Sequence, residues 1–112
     1  MIRITVYQQA EEDYTGFDCI GHAGYAKSGE DVICAGVSAL VINTVNSIGQ
    51  FTADTFDCQD DEKTGKISLR FQKEVSDQTK LLLKAMLLGL TGIRDFYGES
   101  FIRLKFESGQ GV

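Results

Sequence analysis

His22, the chain's single histidine, and Cys34 lie in one segment, GHAGYAKSGEDVICAGVSAL, residues 21–40. Asp31 reads as the N-cap of a helix that starts at Val32, which puts Cys34 in the first turn. Unpaired backbone N–H groups and the positive end of the helix dipole favour a thiolate there, and a nearby imidazole can take up its proton. The chemistry on offer is attack of sulfur on a carbonyl carbon. His22 would protonate the leaving amine, and backbone N–H groups, that of Cys34 among them, would hold the oxyanion. Ser38 falls one helical turn beyond Cys34 on the same face, placed to tune the sulfur. Asp31 has two readings, capping the helix or orienting His22, and capping is the favoured one.

Gly21, Gly24 and Gly29 bracket Ala23, Tyr25, Ala26, Lys27 and Ser28, giving a flap that could close over a peptide and exclude water. Plainer readings stand beside these: Cys34 as packing, His22 as a strand-end residue, and the loop as a simple connection. Tyr25 and Lys27 are assigned no role, because loop residues of these types are commonly just solvated.

The flanking patterns say what must position these groups. Ile2, Ile4 and Val6 alternate with Arg3, Thr5 and Tyr7, predicting a strand, and Phe17 to Ile20 predicts its antiparallel hairpin partner. A helix over Val32 to about Phe51 stacks Ile33, Val37, Leu40 or Val41, Thr44 or Val45, and Ile48 on one side. Its first turns are apolar nearly all round, predicting a helix sunk between a sheet and another layer, with Gly36 allowing close approach to the sheet. Phe56 and Cys58, then Ile67, Leu69 and Phe71, predict a second hairpin across a turn spanning 60–66. Ser76 or Asp77 can cap a second helix with Leu82, Met86, Ile93 and Phe96 on one stripe, ended by Gly98, and Ile102, Leu104 and Phe106 predict a last strand. The order ββαββαβ with short connections implies an α+β fold, a mostly antiparallel sheet with both helices on one face. The other face, through Tyr7 and Phe101, is expected to stay partly apolar and to favour a homodimer.

At 112 residues and 43% hydrophobic content the chain is expected to form one domain, residues 1–112, with a core that needs neither disulfide nor metal. The net charge of -5, with acidic clusters at Glu11-Glu12-Asp13 and Asp60-Asp61-Glu62 and no basic run, disfavours direct nucleic-acid binding. Such clusters fit solvated loops first and a basic partner second. The three cysteines are an odd number and no signal-like leader precedes the first strand, so a reduced cytoplasmic setting is expected. Asn43, Asn46, Ser47 and Gln50 in the first helix, and Lys80, Lys84 and Arg94 in the second, argue against a membrane span. A zinc or redox site built from Cys19, His22, Cys34 and Cys58 is disfavoured, because residues 19 and 22 would face opposite sides of an extended strand and no Cys-x-x-Cys pair occurs. No cofactor or metal is expected.

Gly21-His22, the glycine-containing loop, Asp31 and Cys34-Ala35-Gly36-Val37-Ser38 resemble the signature of the ribosomal-processing cysteine protease family Prp, as do the length and element order of the whole chain. The resemblance implies a cytosolic endopeptidase that removes the N-terminal extension of a large-subunit ribosomal protein during ribosome maturation. It implies His22 and Cys34 as the catalytic pair, a homodimer, and a loop over residues 23–30 that admits and clamps the substrate. It also implies substrates apolar and aromatic before the cut and basic after it, which suits an apolar cleft beside an acidic surface. The alternative is a non-catalytic ribosome assembly or peptide-binding factor that uses the same cleft without cutting.

Overall fold

The structure, a computed structural model, describes residues 1–27 and 30–111. Among these, five strands and two helices follow in the order β1 (Ile2–Gln8), β2 (Tyr14–Ile20), α1 (Val32–Phe51), β3 (Phe56–Asp61), β4 (Lys66–Phe71), α2 (Asp77–Tyr97) and β5 (Ile102–Ser108). The sheet order is β3-β4-β2-β1-β5. Three pairings are antiparallel, and β5 returns through α2 to lie parallel to β1 at the edge, Ile2 opposite Ile102. This is the expected α+β order, with one parallel pair in the sheet.

Strand alternation sends Ile2, Ile4 and Val6 of β1, Phe17 and Cys19 of β2, Leu69 of β4 and Ile102 of β5 into one core with both helices. From α1 that core takes Ile33, Val37, Val41, Thr44 and Ile48, one member of each expected position. Each such aliphatic or aromatic side chain contributes about 1.5–3 kcal/mol by leaving water, so the α1 stripe alone fixes that helix on the sheet. By length and mean hydropathy of 1.7, α1 could cross a bilayer, but here it is the core helix. It is not sunk between two layers: Val32, Ile42 and Phe51 remain exposed. Nor does Gly36 face the sheet. A Cβ there would lie 3.4 Å from Ile93 of α2, and one at Gly89 would lie 2.9 Å from Leu40, so these glycines let the two helices approach each other.

Two boundaries differ from expectation for visible reasons. The second strand starts at Tyr14 because that side chain is buried, and Gly16 lies inside it, where a Cβ would sit 2.3 Å from the Leu69 carbonyl oxygen. The core stripe of α2 is Thr79, Leu83, Met86 and Leu90; of the expected Leu82, Met86, Ile93 and Phe96, Met86 is fully buried and Leu82 and Ile93 are half-buried against the core. Leucines surround that helix, so apolar spacing cannot choose its face. The choice falls to the N-terminus, where Ser76 caps the helix and the Thr79 hydroxyl and the Ser76 hydroxyl both donate to the Asp54 carboxylate. Phe96 ends 80% exposed.

The sheet's open face is polar, which overturns the expected apolar dimer surface. Asp18 accepts from Tyr7 Oη at 2.8 Å, Ser68 Oγ at 2.6 Å and Arg70 at 3.0 Å, while the Arg70 guanidinium stacks on the Tyr7 ring at 4.5 Å. Arg70 also donates to the Gly111 carbonyl, so the C-terminal residues cross this face. Phe101 packs edge-on against Tyr25 instead of facing solvent with Tyr7.

Candidate active site

The Asp31 carboxylate organises the opening of α1. One oxygen accepts from the backbone N–H of Ile33 and of Cys34, both at 3.0 Å, and the other accepts from the N–H of Tyr25 at 3.1 Å. A single side chain thus caps the helix and ties down the loop that precedes it. Of the two readings of Asp31, capping describes these contacts, and no hydrogen bond among the described residues joins it to His22. Burial raises its carboxyl, but the donated hydrogen bonds outweigh burial and hold it below the ordinary carboxylate range.

This cap changes the electrostatics expected at Cys34. The N–H groups that were to favour a thiolate are taken up by a full negative charge, so the helix end is no longer positive at the sulfur. Burial pushes the Cys34 thiol up, the N–H of Ala23 opposes that, and Asp31 adds to the rise. The thiol therefore sits above its ordinary value, not below it. The Cys34 N–H, occupied by Asp31, is also unavailable as an oxyanion donor. A different N–H points at the sulfur: that of Ala23, 3.2 Å from Cys34 Sγ.

The end of β2 carries His22 into the cleft that Cys34 also lines. Gly21 adopts φ 103°, a conformation that disfavours side chains, and a Cβ there would lie 2.5 Å from the Met1 carbonyl oxygen. The chain turns sharply, so the strand parity that should have separated residues 19 and 22 no longer applies. Both line a cavity of about 280 Å³ with Gly21, Cys34 and Ser38. A second cavity, about 480 Å³, shares His22, Cys34 and Ser38 and continues under the loop past Gly24, Ala26, Asp31 and Ala35. His22, Cys34 and Ser38 thus form the waist of one cleft with two lobes. The His22 side chain is exposed, and its ring rests on the β3–β4 turn, where a Cβ on Gly65 would lie 3.0 Å from Nε2.

Of the loop glycines, Gly21 and Gly24 both carry positive φ, at 103° and 71°, and Gly29 lies outside the described residues. Tyr25, which the sequence left without a role, anchors the loop: its ring meets Tyr97 and Phe101 edge-on, at 5.6 and 5.4 Å between centroids. The β3–β4 turn and its acidic cluster were legible in the sequence, but not their place at this cleft. Asp60, Asp61 and Glu62 form an acidic wall of the smaller lobe, and Gly65 and Ile67 complete it opposite Ile42 and Val37. The glycine beside Thr64 signalled a turn, but only the sheet order brings that turn to His22. Among the described residues no three His, Cys, Asp or Glu side chains are grouped as metal ligands.

Comparison with known proteins places this cleft in context. A family model described as cysteine protease Prp matches residues 1–102. The ribosomal processing cysteine protease Prp of Staphylococcus aureus is 32% identical over 107 residues, 96% of this chain and 100% of that protein. Its Bacillus subtilis counterpart is 27% identical, over 89% of this chain and 93% of that one. The crystal structure of the S. aureus protease with a covalently linked product peptide superposes with a TM-score of 0.89 at 31% identity, covering 96% of this chain and 100% of that one. A second S. aureus structure, with a substrate peptide, gives a TM-score of 0.83 at 30% identity and the same coverage. Fold and sequence agree over nearly the whole chain, and the protein belongs to the ribosomal-processing cysteine protease family Prp.

Proposed function

We propose that this chain is an endopeptidase that removes the N-terminal extension of a large-subunit ribosomal protein, with Cys34 as nucleophile and His22 as general acid and base. The observation that carries the reading is the shared waist of the cleft, where His22, Cys34 and Ser38 meet in a family whose S. aureus member has been captured with a covalently linked product peptide. Burial and Asp31 keep the resting sulfur protonated. In the loaded cleft the exposed imidazole takes that proton, the sulfur attacks the scissile carbonyl, and the same imidazole protonates the departing amine. The Ala23 N–H, which donates to the sulfur at 3.2 Å, is the donor this reading assigns to the oxyanion. Water then attacks the acyl-enzyme, with His22 again as base.

The lobes suit the expected substrate. The acidic wall of Asp60, Asp61 and Glu62 attracts basic residues, and the larger lobe under the loop accepts apolar ones. A homodimer belongs to the same proposal, with its seat on α2 instead of the open sheet face. Leu81, Ala85, Leu88, Gly92 and Phe96 recur at helical spacing, and the three large members are 67%, 76% and 80% exposed. Cytosolic residence follows from a ribosomal substrate and free cysteines.

The test is incubation with N-terminally extended and mature forms of candidate ribosomal proteins, read by intact mass. The wild type should shorten only the extended form, and Cys34→Ala should bind it without cutting. Cleavage by Cys34→Ala at the wild-type rate would remove Cys34 from the mechanism. For the dimer, Leu88→Glu should lower the mass measured by light scattering to that of one chain, and an unchanged dimer would exclude the α2 face.

A further inference from the structure

The smaller lobe contains a second sulfur that peptide cleavage does not use. Cys19 lies on the core side of β2, opposite Ile4 of β1 and Ile67 of β4, and it lines the same cavity as Cys34 while only 6% exposed. We propose that Cys19 is the resolving cysteine for Cys34: once a hydroperoxide has oxidised Cys34, the two form a disulfide that blocks the cleft and is reopened by thiols. This rests on the reading of Cys34 as the reactive sulfur.

The steps balance. The fraction of Cys34 that has lost its proton attacks the outer oxygen of a hydroperoxide; an S–O bond forms, the O–O bond breaks, and the departing alkoxide or hydroxide takes up the proton the thiol released. Sulfur is oxidised by two electrons to a sulfenic acid and the peroxide is reduced to an alcohol or water. The Cys19 sulfur then attacks the Cys34 sulfur. An S–S bond forms, the S–O bond breaks, and the hydroxide leaves as water with the proton Cys19 gives up. The sum is two thiols and a hydroperoxide giving a disulfide, an alcohol or water, and water.

The surroundings divide the roles between the sulfurs. Cys34 is partly exposed, opens to both lobes and receives the Ala23 N–H, which supports negative charge on its sulfur. Cys19 is enclosed, its thiol pushed up to about 11, first by burial and then by the neighbouring Cys34. It is thus the poorer target for peroxide in solution and the nearer one for an oxidised Cys34. Cys58 is exposed on β3 and does not line the cavity. A sulfenic acid with no thiol beside it proceeds to sulfinic acid, which ordinary thiols do not reverse.

Peroxide treatment of the peptide-free protein, followed by dithiothreitol, tests this. Wild type and Cys58→Ser should lose about 2 Da per chain, yield a Cys19–Cys34 cross-linked peptide and regain cleavage after reduction. Cys19→Val, which keeps β2 apolar at that position, and Cys19→Ala should instead gain about 32 Da at Cys34, with any cleavage activity they have lost irrecoverably. If wild type gains sulfinic acid at Cys34 as fast as Cys19→Val, with no cross-linked peptide, the proposal is overturned. Failure of the proteolytic reading would show separately, as no cleavage of any precursor by untreated protein, while the cross-link map still decides the disulfide.

Discussion

Replacing Asp31 by asparagine removes one negative charge from the opening of α1 and leaves an oxygen able to cap it. The two bonds from the Ile33 and Cys34 N–H groups, at 3.0 Å, can be kept, whereas the bond from Tyr25, at 3.1 Å, is lost because an amide NH2 replaces its acceptor. Two unit charges about 4 Å apart interact by about 1 kcal/mol in water and about 4 kcal/mol at an effective dielectric constant of 20. Cys34 is partly exposed and lines both lobes of the cleft, so the lower figure applies, and 1 kcal/mol corresponds to about a fivefold change in thiolate fraction. Burial, the largest cause of the raised thiol, is untouched by the substitution. In a Cys58→Ser background, which removes the exposed competing thiol, alkylation of Asp31→Asn by iodoacetamide at neutral pH should therefore be about fivefold faster. The rate profile should move toward lower pH. Neutral hydrogen bonds in place of charge-assisted ones, and one tether fewer, should cost about 1–3 kcal/mol of stability. An unmoved profile, or one displaced to higher pH, would refute the claim that the cap holds the sulfur protonated.

Gly65→Ala should impair cleavage as well as stability. Its φ of 64° costs an alanine about 1–2 kcal/mol, and the added Cβ would lie 3.0 Å from the His22 ring. Thermal melting and turnover check this; wild-type turnover would show that the ring need not rest on the β3–β4 turn. Ser38→Ala should slow cleavage with little change in melting, since the hydroxyl is exposed at the cleft waist, and unaltered kinetics would make Ser38 mere lining. Acid should destabilise the fold through Asp18, Asp31 and Asp54. Burial raises each, but hydrogen bonds outweigh it and hold all three below 3.8 in the folded state. The unfolded chain then binds more protons at these sites, so their contribution is complete above 3.8 and is lost as pH falls through the folded values. Urea midpoints at about pH 6 and pH 3 should differ in that direction, and equal midpoints would contradict it.

The parts of this molecule set by local periodicity were legible in the sequence. The alternation in β1 and the 3.6-residue spacing in α1 each select one face, leaving only the neighbouring choices of Leu40 or Val41 and Thr44 or Val45 to the packing, and Asp31 caps α1 as its type and position require. Patterns with several solutions were not legible. Leucines around α2 leave its core face to be chosen by the half-buried contacts of Asp54 with Ser76 and Thr79, which join residues far apart in sequence. Within the site, the segment 21–40 marked His22 and Cys34, but the sign of the electrostatics depended on where the Asp31 carboxylate lay. Its charge cancels the helix end that was to favour a thiolate. The acidic wall and Gly65 reach the cleft only because β4 pairs with β2, a pairing that spacing along the chain does not announce.

Acid-quenched mass spectrometry during turnover of an extended ribosomal precursor tests the nucleophile most directly. If Cys34 carries the reaction, a fraction of the protein should gain the mass of the N-terminal fragment, mapped as a thioester on Cys34 and absent in Cys34→Ala. Continued cleavage with no adduct on that sulfur, or an adduct on another residue, would contradict it.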